Sequence, residues 1–201
     1  RWFGLLSSAQ LFMVKNKIRK SLLEQGRTLS YQSKKQLDIK VQKNIIENFD
    51  LSKDKNVLLY FPYRQEINVN LLRKELLKRS HNIYMPKIFP KKKMKFNLYT
   101  TNDTLVKNKY GIYEIDNKKY LEPNLFDLMF IPFVGVDING YRIGYGGGYF
   151  DRALSCFSNF KKKPIIIGLG YDYQILSEAF AEHHDLKYQK VFTETKIISY
   201  S

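Results

Sequence analysis

A strand–helix–strand succession between residues 56 and 86 constrains this chain most. The run "NVLLYFP" (56–62) is apolar, short and closed by Pro62, as a buried strand is. "VNLLRKELLKRS" (69–80) follows, with Val69, Leu72 and Leu76 on one helical face, and "NIYMP" (82–86) reads as the next strand. Two strands joined through a helix pair in parallel, because a parallel pair needs a crossover connection. "DLMFIPFV" (127–134) and "PIIIGLG" (164–170) are further buried strands. "MKFNLYT" (94–100) alternates as a half-exposed strand does, and "KVFTETKIISY" (190–200) closes the chain in extended form. Ahead of the first strand, "VKNKIRKSLLEQ" (14–25) spaces Val14, Ile18 and Leu22 as a helix. Ser30 is placed to cap a second helix, with Leu37, Val41 and Ile45 as its apolar stripe to about Asn48. The expectation is an α/β fold: a mostly parallel, Rossmann-like sheet flanked by helices, with two N-terminal helices.

The 201 residues fit one domain. Residues 1–12 are read as an upstream extension or an expression remnant, with a trimmed organelle-targeting segment as the alternative, and residues 13–201 as a single α/β domain. No run of 18 uncharged apolar residues is present, so no membrane helix is expected. The lone Cys156 excludes an internal disulfide and a cysteine zinc cluster, and suits a reducing, cytoplasmic setting. The net charge of +15 raises the question of nucleic acid. Most of it is lysine spread along the chain, with "KKKMK" (91–95) and "KKK" (161–163) at expected turns, which reads first as a solvated face. An acidic small substrate would gain from the same field.

In parallel sheets ligands bind beyond the carboxyl ends of the strands. That rule selects the loops "PYRQEIN", "VGVDINGYRIGYGGG" and "GYDYQ". In "YRIGYGGGYFDR" (141–152), Gly144, Gly146, Gly147 and Gly148 stand directly before a helix pattern of Phe150, Ala153, Leu154 and Phe157. Glycine permits positive φ and close approach of backbone N–H groups to a ligand. A helix start adds free donors and partial positive charge. Together these describe an anion site, to which Arg142 adds a forked donor. No Gly-Lys-Ser/Thr follows, so the loop is not a Walker A motif, and it lacks the acidic partner of a dinucleotide fingerprint. Asp151 lies in the first helical turn, where it either complements the helix dipole or serves a Mg²⁺ ion on phosphate oxygens. Asp185 is a candidate second carboxylate. His183 and His184 read as exposed loop residues.

"DLMFIPFVGVDINGYRIGYGGGYFDR", with "KNKIR", "YFPYRQEINV" and "LGYDYQ", resembles the 5-formyltetrahydrofolate cyclo-ligase (methenyltetrahydrofolate synthetase) family from about Lys15 to Thr195. The resemblance implies ATP-dependent closure of 5-formyltetrahydrofolate to 5,10-methenyltetrahydrofolate, with ADP and phosphate released and Mg²⁺ present. The formyl oxygen is phosphorylated, and the neighbouring amine nitrogen then displaces the phosphate. Carried over by position, ATP would be bound by Lys15, Asn16, Lys17, Ile18 and Arg19 and by the segment Arg142, Ile143, Gly144, Tyr145, Gly146, Gly147, Gly148, Tyr149 and Phe150. Phe61, Glu66 and the loop from Tyr145 to Tyr149 would bind the folate. Asp151 and Asp185 would hold Mg²⁺, and Arg142, Tyr149 and Asp151 would be catalytic. Tyr188 stands where the family often carries a second acidic residue. The implied partner is a reduced folate, polyglutamylated or not, acted on by a monomer with no nucleic acid or membrane.

Two other classes compete. A basic module binding RNA would interleave exposed aromatics with Arg and Lys; here the aromatics fall largely inside strand-like runs. A non-catalytic relative that only holds folate or nucleotide would keep the fold and lose the chemistry.

Overall fold

The computed structural model describes residues 7–51, 55–155, 157–159, 161–180 and 185–201. His183 and His184 lie outside them. Helix α1 (Ser8–Arg27) is capped by Ser7, whose side chain accepts from the Gln10 N–H while the Gln10 side chain returns the bond. This capping box starts the helix five residues ahead of Met13, so α1 runs unbroken across the expected boundary at residue 12. Helix α2 (Tyr31–Asn48) starts at Ser30, as its cap position required. Val41 and Ile45 are fully buried and Leu37 packs beside them.

Strand β1 (Asn56–Leu58), helix α3 (Asn70–Lys78) and strand β2 (Asn82–Phe89) form the expected crossover, with Val57 opposite Ile83 in a parallel pair. Val69, Leu72 and Leu76 bury the helix against the sheet. Helix α3 has no side-chain cap of its own. Instead Gln42 reaches across from α2 and accepts from the N–H groups of Leu71 (2.8 Å) and Leu72 (3.1 Å), satisfying two orphan donors of the helix start. Strand β3 (Lys93–Leu98) returns antiparallel to β2 through an exposed turn at Pro90–Lys92, so the first lysine run lies at a turn.

A two-stranded hairpin follows, β4 (Leu105–Lys107) with β5 (Tyr113–Ile115). The chain then re-enters the sheet at β6 (Leu128–Phe130), makes a second small hairpin of β7 (Gly135–Val136) with β8 (Arg142–Ile143), and passes through α4 (Tyr149–Ala153) to β9 (Ile165–Leu169). It ends as β10 (Lys190–Phe192) and β11 (Ile197–Ser199). These last two pair antiparallel, so the closing segment is a hairpin and not one extended run. Among the described residues the main sheet has seven strands in the order β11-β10-β9-β6-β1-β2-β3, parallel from β10 to β2 with an antiparallel strand at each edge.

Side chains alternate between two cores. Val57, Leu128, Phe130, Ile167 and Phe192 face α2 and α3; Leu58, Met129, Ile166 and Val191 face α4 and Phe126. Burial on both faces explains why these strands read as continuous apolar runs. Helix α4 is shorter than its apolar pattern suggested. Phe150, Ala153, Leu154 and Phe157 do reach one core, but Phe157 does so from a separate 3₁₀ turn at Phe157–Asn159. After β9, the missing side chain of Gly170 makes room for Phe133: a Cβ there would lie 2.2 Å from the buried ring. Gly170→Ala should therefore cost about 1–3 kcal/mol by overpacking. Urea unfolding checks this, and an unchanged midpoint would mean the ring moves freely.

Candidate functional site

The chain builds β1, β2 and β3 outward on one side, then returns to build β6, β9 and β10 on the other. The strand order therefore reverses between β1 and β6, and ligands in such sheets bind beyond the carboxyl ends of the strands at that point. Tyr60, Phe61 and Glu66 follow β1; Pro132 follows β6. Together with Arg142, Gly146, Gly147, Gly148, Tyr149 and Phe150 they line a cavity of about 480 Å³. Its far wall is the β4–β5 hairpin and the β2 end, through Tyr110, Ile112, Tyr113, Glu114, Pro86 and Ile88.

The glycine loop forms one rim. Gly146 (φ 91°) and Gly148 (φ 66°) need the left-handed region that glycine allows, whereas Gly144 and Gly147 do not. At Gly144 a Cβ would meet the Arg142 guanidinium at 2.4 Å, so a larger residue there would require the end of that side chain to shift. Upstream, the buried Asp137 holds the β7–β8 turn by accepting from the N–H groups of Asn139 and Tyr141 (2.9 Å each), and from Phe180 N–H at 3.0 Å. "VDINGY" is thus the brace of the glycine loop.

Three cations converge on this rim. Lys15, only 7% exposed, donates to Asp185. Arg19, one turn further along α1, donates through Nε to the Gly144 carbonyl at 2.6 Å and also to Asn16. Arg142 donates to the Pro132 carbonyl (2.7 Å), covers the Phe150 ring at 5.4 Å and stands 3.7 Å from Asp151. Burial and the like charge of Arg142 lower the Arg19 pKa, against Asp185, which raises it. Cations crowded so closely gain from an anion between them. Of the "KNKIR" segment, Lys15, Asn16 and Arg19 reach the rim; Lys17 is exposed and Ile18 half-buried. The two candidate metal carboxylates arrive separately, Asp151 beside Arg142 and Asp185 beside Lys15. No cluster of three or more metal-ligating side chains exists among the described residues.

The cavity floor holds Glu66, a carboxylate only 8% exposed. It accepts from the Tyr63 N–H at 2.8 Å. Burial pushes its pKa up to about 8, against that hydrogen bond and the charges of Arg142 and Lys34. Phe61 lies edge-on to Tyr99 and Tyr113, at 6.5 and 6.2 Å, and combines core packing with a cavity face. Tyr145 bonds through its hydroxyl to the Tyr63 carbonyl (3.2 Å), and Arg64 lies over both the Tyr63 and Tyr145 rings. Tyr149 meets Tyr110 hydroxyl to hydroxyl at 3.4 Å. Tyr188 is buried, donates to the Ile131 carbonyl at 2.8 Å and packs on Phe133; it supports the floor below Arg142. The sequence reading missed Tyr60, Tyr110, Tyr113 and Glu114. The density of tyrosine in "NKYGIYE" was the available signal.

Fold and site together define an α/β protein that sets a glycine loop, flanked by Arg19 and Arg142, against an apolar, aromatic pocket at the sheet's switch point. Residues 12–194 match the model of the 5-formyltetrahydrofolate cyclo-ligase family. The chain is 34% identical over 136 residues to a 5-formyltetrahydrofolate cyclo-ligase of Haemophilus influenzae, covering 66% of this chain and 72% of that one. It is 32% identical over 163 residues to the Mycoplasma genitalium protein of the same name, covering 80% and 86%. Its fold is similar to the solved 5,10-methenyltetrahydrofolate synthetase of Aquifex aeolicus, with a TM-score of 0.78, 25% identity and 92% of each chain covered. The chain belongs to the 5-formyltetrahydrofolate cyclo-ligase family, as its motifs suggested.

Proposed function

We propose that this cleft carries out the ATP-dependent closure of 5-formyltetrahydrofolate to 5,10-methenyltetrahydrofolate, forming a C–N bond and releasing ADP and phosphate. One observation carries the reading. The segment from Gly146 to Phe150 belongs at once to the cation-lined rim and to the wall of the apolar cavity, so phosphate and a flat ring system would meet across one loop.

The rim fits a triphosphate. A Cβ on Gly146 would project to 3.6 Å from the Arg19 guanidinium, into the space between loop and cation. Lys15, Arg19 and Arg142 would neutralise the phosphates, with backbone donors of the loop beside them. Asp151 and Asp185 fit Mg²⁺ only in company with phosphate oxygens, which is how this ion is usually bound. ATP, when bound, supplies the phosphoryl group that turns the formyl oxygen into a good leaving group. The chain's own share is positioning and charge neutralisation. Phe61 offers a ring face to the pterin, and Glu66 a carboxylate for its paired N–H edge. Tyr145 and Tyr149 close the pocket on the loop side. One copy of the chain supplies every group named, so a monomer suffices. No helix among the described residues is long and apolar enough to cross a membrane. A cytoplasmic setting, where reduced folates and ATP meet, is part of the same proposal.

The purified chain with 5-formyltetrahydrofolate and Mg-ATP should develop the near-ultraviolet absorbance of the methenyl product, and only when both substrates are present. Absence of that absorbance with a folded chain would refute the reading. Folate binding without turnover would instead mark a non-catalytic relative.

A further inference from the structure

Helix α2 carries a polar stripe beside its apolar one. Lys34, Asp38 and Gln42 recur at every fourth residue and so share one face, with Asp38 and Gln42 buried. Gln42 holds the start of α3. Asp38 accepts from the Tyr171 hydroxyl through one carboxylate oxygen and from Lys34 Nζ (2.9 Å) through the other. Lys34 also donates to the Glu66 carbonyl at 3.0 Å. One ammonium thus joins α2, the turn after β9 and the loop after β1. A buried ion pair adds little stability over apolar side chains of similar volume, so the segment it holds is the informative part.

That segment is a strained turn. Arg64 stands at φ 50°, a left-handed conformation that is unfavourable for a residue with a side chain and persists only where its surroundings enforce it. Within the turn, the Glu66 N–H donates to the Tyr63 carbonyl (3.0 Å) and the Glu66 carboxylate accepts from the Tyr63 N–H (2.8 Å). From outside it, the Tyr145 hydroxyl holds the Tyr63 carbonyl and Lys34 holds the Glu66 carbonyl. Charge acts in the same direction. Burial raises the Glu66 pKa, and the Tyr63 N–H, Arg142 and Lys34 oppose that rise. The phenols of Tyr60, Tyr145 and Tyr188 also face Glu66, and burial raises their pKa values, so they stay uncharged. Arg64 lines the same cavity, and Asp38 stands behind the loop, paired with Lys34.

We propose that Lys34 is a positioning residue for the folate: its ammonium, anchored on Asp38 and Tyr171, fixes the main chain at Glu66 so that the carboxylate meets the N–H edge of the ring. Lys34 acts through Glu66 and takes no part in the bond changes at the formyl group. The inference rests on the folate reading above.

The test compares Lys34→Met, Lys34→Arg and Asn44→Ala with the unaltered chain in steady-state kinetics across pH, folate binding without nucleotide, and urea unfolding. Lys34→Met should raise both KM and Kd for 5-formyltetrahydrofolate about tenfold, with kcat and KM for ATP within about twofold. The climb of kcat/KM for folate should move to higher pH, because Glu66 loses a cation that favours its ionised form. Lys34→Arg keeps a charged donor and should bring the folate constants back within about threefold. Asn44→Ala breaks a bond from the same helix to the Thr193 carbonyl (2.8 Å). It should lower the urea midpoint and leave KM and the pH profile as they are. If Lys34→Met fails to fold with Asp38 left unpaired, the triple variant Lys34→Met, Asp38→Leu, Tyr171→Phe removes the whole polar group. It should unfold close to the unaltered chain and still bind folate about tenfold more weakly. An unchanged folate KM and pH profile in Lys34→Met, or equal weakening of folate and ATP, would overturn the inference. So would a triple variant that binds folate normally. Failure of the unaltered chain to bind 5-formyltetrahydrofolate at all would refute the function proposed above instead.

Discussion

Arg142→Ala should lower kcat/KM about 10³-fold, roughly 4 kcal/mol of lost transition-state stabilisation. The guanidinium joins the cationic rim to the cavity: it stands 3.7 Å from Asp151, covers Phe150 and lines the pocket itself. Arginine at a transferring phosphoryl group is worth several orders of magnitude elsewhere. Part of the change is structural, because the bond to the Pro132 carbonyl is lost and Asp151 loses its cation. That loss should reach about 1–3 kcal/mol of stability. Arg142→Lys separates the two effects. It keeps the charge and loses the planar fork, so it should recover folding more fully than turnover. Steady-state kinetics with a urea curve on each variant decides the matter. A folded Arg142→Ala chain within tenfold of full activity would remove Arg142 from the reaction.

Glu66→Gln should flatten the pH dependence of stability and impair folate use. The folded-state pKa of Glu66 is raised to about 8, mainly by burial. Between about pH 4.5 and 8 the folded chain therefore keeps a proton that the unfolded chain has released. The stability linked to that proton is fully present below the unfolded value and is lost as pH rises through about 8. Its size is on the order of a few kcal/mol. Glu66→Gln removes the titrating group, so the variant should be the more stable of the two at pH 8.5, with the gap closing toward pH 5. In function the sign is opposite. The paired N–H edge of the substrate calls for the ionised carboxylate, so kcat/KM for folate should climb with pH up to about 8 in the unaltered chain. Glu66→Gln should lose that slope and about 10–100-fold of kcat/KM, as a buried pairing of complementary groups does when one acceptor becomes a donor. A flat profile in the unaltered chain would contradict the assignment.

Much of this was legible in the residues, for physical reasons. Val69, Leu72 and Leu76 repeat with the period of a helix between two apolar runs, and this alone made β1, α3 and β2 readable as a parallel crossover. Four glycines before an apolar helix pattern marked the loop that forms one rim of the cavity. The resemblance, more than the pattern, singled out Lys15 and Arg19: a basic helix face looks solvated until the fold buries it against Gly144 and Asp185. Other parts were hidden. Strands of three residues, such as those of the β4–β5 hairpin, carry too little alternation to be seen, so the cavity's far wall at Tyr110 and Tyr113 went unread. The burial of Glu66 depends on α2 and Tyr145 closing over a loop that looks exposed in sequence. The end of α4 was overrun because Phe157 reaches the same core from a different turn.

The central claim is that one loop serves both substrates. A crystal structure with a Mg-bound, non-hydrolysable ATP analogue and 5-formyltetrahydrofolate tests it most directly. The account predicts phosphates against Gly146 to Gly148 within reach of Lys15, Arg19 and Arg142, with the pterin on Phe61 and Glu66 across the same loop. Nucleotide bound on another face, or folate outside the pocket beneath β1 and β6, would contradict it.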